Sequence, residues 1–144
     1  MDFRAPEGFG LIRNLPPAYD YGKFYIKLGN DGEFELGFFI RPEHTRSKDG
    51  YAGGGIFLTA ADYLMGFVMF KKLEKVIENP FHPTTVSFSS DFIGSAKLGE
   101  WVTVKVDVLK IGRQLCTAQC VLTTKDKTVL RASASYLIVP KTTT

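Results

Sequence analysis

The chain has 144 residues, enough for one domain with a sizeable core. Its 44% hydrophobic and 23% charged content is that of an ordinary globular protein rather than a disordered or fibrous one. A net charge of +3 is compatible with an anionic small ligand but too slight to signal nucleic acid, so no nucleic-acid partner is expected. No N-terminal stretch joins basic residues to a long apolar run, which argues against a secretory leader.

Residues 1–21 carry Pro6, Pro16 and Pro17 and read as an irregular arm with room for one short helix. Phe9, Leu11, Ile12 and Leu15 would dock it on the domain. Residues 23–28 alternate apolar and polar, the mark of a half-buried strand. Gly29-Asn30-Asp31-Gly32 then signals a turn, and residues 33–41 return as the second arm of a hairpin. Residues 42–50 form a polar loop with His44, Arg46, Lys48 and Asp49. It leads into Gly53-Gly54-Gly55 and the only long apolar segment of the chain. His44 reads either as a surface histidine or as a residue on a pocket rim.

From Ile56 to Phe70 the single charge is Asp62. Apolar residues on every face predict a helix buried on all sides, with a sheet wrapped round it. At about 1.5 Å per residue it would span roughly 22 Å, short of the ~20 residues that cross a bilayer, so no membrane partner is expected. Lys71, Lys72 and Lys75 suit the C-terminal end of the helix dipole as a solvated cap. After the breaks at Asn79-Pro80 and His82-Pro83, strands are predicted over residues 84–93, 101–109, 114–123 and 128–139. The order β-β-α-β-β-β-β with hairpin links gives an α+β fold, a long antiparallel sheet around one central helix, as a single domain over residues 1–144. Cys116 and Cys120 are four apart in a strand, roughly 13 Å by strand rise. That is beyond disulfide reach, so reduced thiols and a cytoplasmic location are expected.

Two features carry chemical interest, the glycine run and Asp62. The glycines permit positive φ and close backbone approach, and the free N–H groups of the helix start could hold an anion or oxyanion. Helical spacing puts Thr59, Gly66 and, two turns earlier, Gly55 on the face of Asp62, so a carboxylate and a glycine amide could share one pocket. A lone carboxylate in an apolar helix is costly unless paired or used. Asp62 therefore reads equally as a functional acid or as a structural one satisfied by a hydroxyl. Two histidines and two cysteines show no metal-ligand spacing, and no nucleotide-binding or nucleophile-elbow motif is present. Neither metal nor cofactor is expected.

With these residues in place the chain resembles the hotdog-fold acyl-CoA thioesterases, over about residues 22–139. The nearest branch contains the phenylacetate-pathway and 4-hydroxybenzoyl-CoA enzymes. That branch's motif runs H-x-N-x-x-G, then H-G-G, then an Asp nine residues after the second His. Here His44-Thr45-Arg46 with Gly50 stands for the first part and Gly53-Gly54-Gly55 for the second, and Asp62 falls nine residues after Gly53. The motif Asn is replaced by Arg46 and the motif His by Gly53.

The resemblance implies hydrolysis of an acyl thioester to free acid and CoA, with Asp62 as general base or nucleophile and the Gly55 N–H polarising the carbonyl. Thr85 would orient the attacking water from a partner subunit, in a site between two chains of a homodimer or a dimer of dimers. His44, Arg46, Gly53, Gly54 and Thr59 would line the substrate site. Lys97, Lys110 and Arg113 lie at strand ends where the family holds its nucleotide. Arg46 beside the acid would keep Asp62 ionised or pair with it. The loss of the motif His and Asn leaves a second possibility, a hotdog protein that binds acyl-CoA or another apolar acid without catalysis. A hotdog dehydratase ranks last, since no histidine lies in or near the helix.

Overall fold

The computed structural model describes residues 2–46 and 48–141, so Ser47 of the polar loop and the last three residues of the expected domain lie outside the described residues. The strands are β1 (Gly10–Leu11), β2 (Tyr25–Leu28), β3 (Phe34–Phe39), β4 (Phe81–Phe92), β5 (Trp101–Ile111), β6 (Leu115–Thr124) and β7 (Lys127–Pro140). They form one seven-stranded sheet in the order β1-β2-β3-β5-β6-β7-β4, antiparallel throughout, against which the single helix α1 (Gly54–Leu73) packs. Short 3-10 turns occupy Asp20–Gly22 and Pro42–His44.

Local chemistry accounts for most of this. Gly32 takes positive φ in the β2–β3 turn, where Asp31 Oδ1 accepts the Glu33 N–H at 2.9 Å. In β6 and β7, Cys116, Ala118, Cys120 and Leu122 and then Leu130, Ala132, Ala134 and Tyr136 point to the helix and are buried. The three alanines let α1 sit close to the middle of the sheet, where its own Ala60 and Ala61 are buried.

Four expectations change. The helix begins at Gly54 and ends at Leu73, longer at both ends than the apolar run alone indicates. Its glycines do not use positive φ: Gly53 is the N-cap at φ −73°, and the left-handed residue of this region is Gly50 at φ +79°. Close approach is real only at Gly54, where a Cβ would stand 2.9 Å from the Phe92 ring.

The helix is also not buried on all sides. Ile56, Phe57, Ala60, Ala61, Leu64, Met65, Val68 and Met69 are buried, but Leu58, Thr59, Asp62, Tyr63, Gly66, Phe67 and Phe70 are only half-buried and Gly55 is exposed. One sheet covers one side, and the arm covers only part of the other.

Finally, β4 does not form a hairpin with β5. It crosses to the far edge and pairs with β7, from Phe81 opposite Pro140 to Phe92 opposite Leu130. Its alternation breaks at Val86, a β-bulge that is 54% exposed. By strict alternation Thr85 would share the outer face with Ser87 and Ser89. The extra residue shifts the phase by one, so Thr85 pairs with the inward-facing Tyr136 while Ser87 pairs with Ser135. That single bulge turns the Thr85 hydroxyl towards the helix.

Candidate active site

Asp62 sits in the middle of α1 on its half-buried face. Thr85, delivered by the bulge, donates its Oγ1 hydrogen to Asp62 Oδ1 at 2.7 Å. The Tyr136 hydroxyl, rising from β7, donates to the backbone carbonyl of Asp62 at 3.0 Å. Gly66, one turn on, leaves room for the Tyr136 ring, which would lie 3.5 Å from a Cβ there. Asp62 Oδ2 has no hydrogen-bond partner among the described residues. Burial, and after it the negative charge of Asp62, pushes the Tyr19 and Tyr136 hydroxyls up from the usual phenol range. Both phenols therefore stay protonated as donors.

The carboxylate opens into a cavity of about 260 Å³ whose walls are Tyr19, Tyr63, Phe67, Phe70, Pro83 and Tyr136, with Thr85 and Gly66 beside the acid. Tyr63 is locked in an aromatic column, stacked on Phe24 at 5.8 Å and lying 4.7 Å from the Tyr19 ring. An apolar box with one carboxylate and a few hydroxyls can orient a small acyl group and present a base or nucleophile to it.

The other predicted residues fall in several places. Gly55 is exposed in the first turn of α1, and its carbonyl accepts the Thr59 hydroxyl at 2.9 Å. Gly55 lies seven positions before Asp62, about 10 Å of helix rise, and neither Gly55 nor its glycine neighbours line the cavity. The glycine amide and the carboxylate of one chain therefore do not share a pocket, contrary to expectation. The Gly53 amide is spent on the His44 carbonyl at 2.9 Å, whereas the Gly54 and Gly55 amides precede the first intrahelical bond.

His44 is neither on the surface nor on the rim. It is 4% exposed, its Nδ1 accepts the Arg41 amide at 3.1 Å, and its Nε2 donates to the Tyr21 carbonyl at 2.6 Å. Both nitrogens are occupied by backbone, which leaves none for a substrate. Arg46 does not pair with Asp62. It is exposed and bridges to Asp49 at 3.5 Å within its own loop, while Asp62 is satisfied by a hydroxyl instead.

Lys97 lies over the Tyr51 ring at 4.9 Å, beside the loop that enters the helix. Lys110 and Arg113 instead flank an open depression at the β5–β6 turn with Gly112, Gln114, Leu115 and Thr117. The three cations do not form one cluster. Tyr136, Tyr19, Phe67 and Phe70 are wall residues that sequence reasoning missed. The signal for Tyr136 was a bulky hydroxyl-bearing residue following two alanines in the inward series of β7.

One long helix packed on a seven-stranded antiparallel sheet, with an acid on the helix facing a small aromatic cavity, defines a hotdog fold. Residues 49–130 match the Thioesterase superfamily, and the chain belongs to that family of thioester hydrolases. A Pseudomonas aeruginosa protein whose name places it among the esterases is 29% identical over 134 residues, covering 92% of this chain and 96% of its own. A hypothetical thioesterase of Streptococcus pneumoniae, solved with coenzyme A, superposes with a TM-score of 0.68 at 19% identity over 83% of this chain and 91% of that one. The phenylacetic acid degradation protein PaaI of Thermus thermophilus, in a mutant form, gives 0.68 at 17% identity over 85% and 98%. These structural likenesses bear on fold. No helix of the described residues is long and apolar enough to cross a membrane.

Proposed function

We propose that the protein hydrolyses an acyl thioester of coenzyme A, with Asp62 as general base or nucleophile and Thr85 as the hydroxyl that orients its carboxylate. The observation that carries this reading is the Thr85–Asp62 hydrogen bond of 2.7 Å at the side of an acyl-sized aromatic cavity. As a base, Asp62 would take a proton from water as that water adds to the thioester carbon. As a nucleophile, it would form a mixed anhydride and release the thiolate, and water would then cleave the anhydride. Lys110 and Arg113 are the cations this reading assigns to the coenzyme A phosphates.

The carbonyl must also be polarised, and the ~10 Å of helix between Gly55 and Asp62 prevents one chain from doing both jobs. Two chains packed with α1 antiparallel would bring the Gly55 amide of one to the Asp62 carboxylate of the other. The half-buried outer face of α1 and the free edge of β4, with Val86, Phe92 and Ile93 exposed, support such a homodimer. Light scattering should therefore report at least a dimer. A monomer at micromolar concentration would remove the shared site.

Substitution of Asp62 by Asn preserves size and most hydrogen bonding but neither attacks carbon nor accepts a proton. Release of CoA should fall by about 10²-fold or more, with acyl-CoA affinity nearly unchanged. Undiminished turnover in that variant refutes the catalytic assignment. If the wild-type protein binds acyl-CoA without turnover, the reading becomes that of a non-catalytic acyl-CoA-binding hotdog protein.

A further inference from the structure

We propose that residues 19–22 form a strap that closes the outer side of the Asp62 cavity, with Tyr19 setting how large an acyl group the site admits. All other wall residues stand on α1, β4 or β7, where helix and sheet hydrogen bonding fixes them. Tyr19 alone comes from the arm, so it is the one wall that can be moved without unmaking the fold.

The strap is fastened at three points. The first is His44, whose Nδ1 is taken by the Arg41 amide, so its proton sits on Nε2 and is donated to the Tyr21 carbonyl at 2.6 Å. The second is the Tyr21 hydroxyl on Thr59 Oγ1 at 3.2 Å. Thr59 donates its own hydrogen to the Gly55 carbonyl, so Tyr21 is the donor here. The third is Gly22, which lies so flat on the buried Phe24 ring that any Cβ there would clash with it. Just upstream of these anchors Tyr19 is laid on Tyr63, its ring bordering the cavity.

The half-open space of about 260 Å³ is below the ~300–1,000 Å³ that accommodates drug-sized ligands. It takes a short aliphatic chain or a single ring, with the coenzyme outside. A long chain meets Tyr19. His44 is in this scheme a positioning residue, since it reaches the cavity only through the strap it holds.

The proposal rests on the thioesterase reading only in treating the cavity as the acyl site, and binding measured without turnover separates the two. Calorimetric titration of acetyl-, hexanoyl- and dodecanoyl-CoA into Asp62→Asn and into Asp62→Asn/Tyr19→Ala is the test. One methylene in an apolar pocket is worth about 10- to 200-fold, so the dodecanoyl-to-acetyl affinity ratio should rise at least tenfold when the Tyr19 ring is removed. Tyr19→Phe should keep the original ratio. His44→Ala should reproduce the Tyr19→Ala shift, and His44→Gln, which restores an N–H at the tip, should reverse it.

An unchanged ratio in a folded Tyr19→Ala variant overturns the strap, and so does failure of all three esters to bind. If the ratio shifts while the wild-type protein releases no CoA, the catalytic reading fails and the strap stands. Wild-type turnover with an unchanged ratio keeps the catalytic reading and overturns the strap. Should the His44 variants not fold, the Tyr19 pair still decides.

Discussion

The two faces of α1 differ in what they ask of their residues. The inward face is a continuous apolar surface from Ile56 to Met69, sealed by the sheet, with alanines where the sheet comes close. The outward face holds the only acid of the helix interior, two glycines, a threonine engaged with the arm, and three aromatic rings left half-covered. It leaves apolar surface and a carboxylate under-used within a single chain, a cost that packing alone does not explain. In the proposed reading, stability and chemistry fall on opposite faces of the same helix.

Substitutions on the two faces should separate these roles. The largest effect is expected inward. Leu64 is fully buried, and Leu64→Ala should cost about 2–5 kcal/mol and lower the melting temperature by roughly 10 °C, with turnover per folded molecule retained. Comparable loss of turnover in molecules shown to be folded would mean that the inward face also carries chemistry.

A smaller and opposite pattern is expected at Thr85. Thr85→Val keeps the shape but removes the donor to Asp62, and a hydrogen bond to a charged group is worth about 1.5–3 kcal/mol. Turnover should fall about tenfold or more, while the melting temperature should drop by only a few degrees, less than in Leu64→Ala. Equal turnover in the two proteins would assign Thr85 to packing.

The smallest effect concerns pH and the arm. Burial, with Arg41 adding, lowers the His44 pKa below its ordinary 6.5, against the opposing pull of the Tyr21 and Phe39 carbonyls and of Glu43. A histidine held neutral in the fold contributes stability that is complete above 6.5 and lost as pH falls below it, since the unfolded chain then binds the proton more readily. The stability gap between the wild type and His44→Gln should therefore be constant above that pH and narrow below it. A gap that stays flat through acid pH would show that His44 is not held neutral.

Much of the fold was legible because periodicity is local. The β2–β3 hairpin, the helix and the four later strands all lie within a few residues of where alternation and the apolar run put them. Family membership was legible from the spacing of Gly50, the three glycines and Asp62, although two motif positions differ. Asp62 stood out because nothing else charged occurs in that run.

What stayed hidden depended on distant pairing. Alternation shows that residues 84–93 are a strand but cannot say that its neighbour is β7 rather than β5. The bulge at Val86 is one extra residue in an otherwise regular pattern, yet it decides which way Thr85 faces. His44 looked like a loop residue because its partners, the Tyr21 carbonyl and the Arg41 amide, are backbone groups, which a side-chain pattern does not reveal. Tyr19 was concealed for a related reason, since an irregular arm has no period from which to read a facing.

The crossing of β4 to the far edge has a consequence for the order of assembly. Asp62 and Thr85 are close in sequence, on consecutive elements, yet the strand that carries Thr85 has no sheet neighbour until β7 is in place. The meander β5-β6-β7 closes through short links and can form early, whereas β4 must close a long loop onto its last member. During synthesis the helix and β4 both emerge well before β7, the strand on which β4 must pair. The carboxylate–hydroxyl pair therefore depends on β7 and is expected among the last contacts to form, so in the proposed reading Asp62 gains its function only when the sheet is complete.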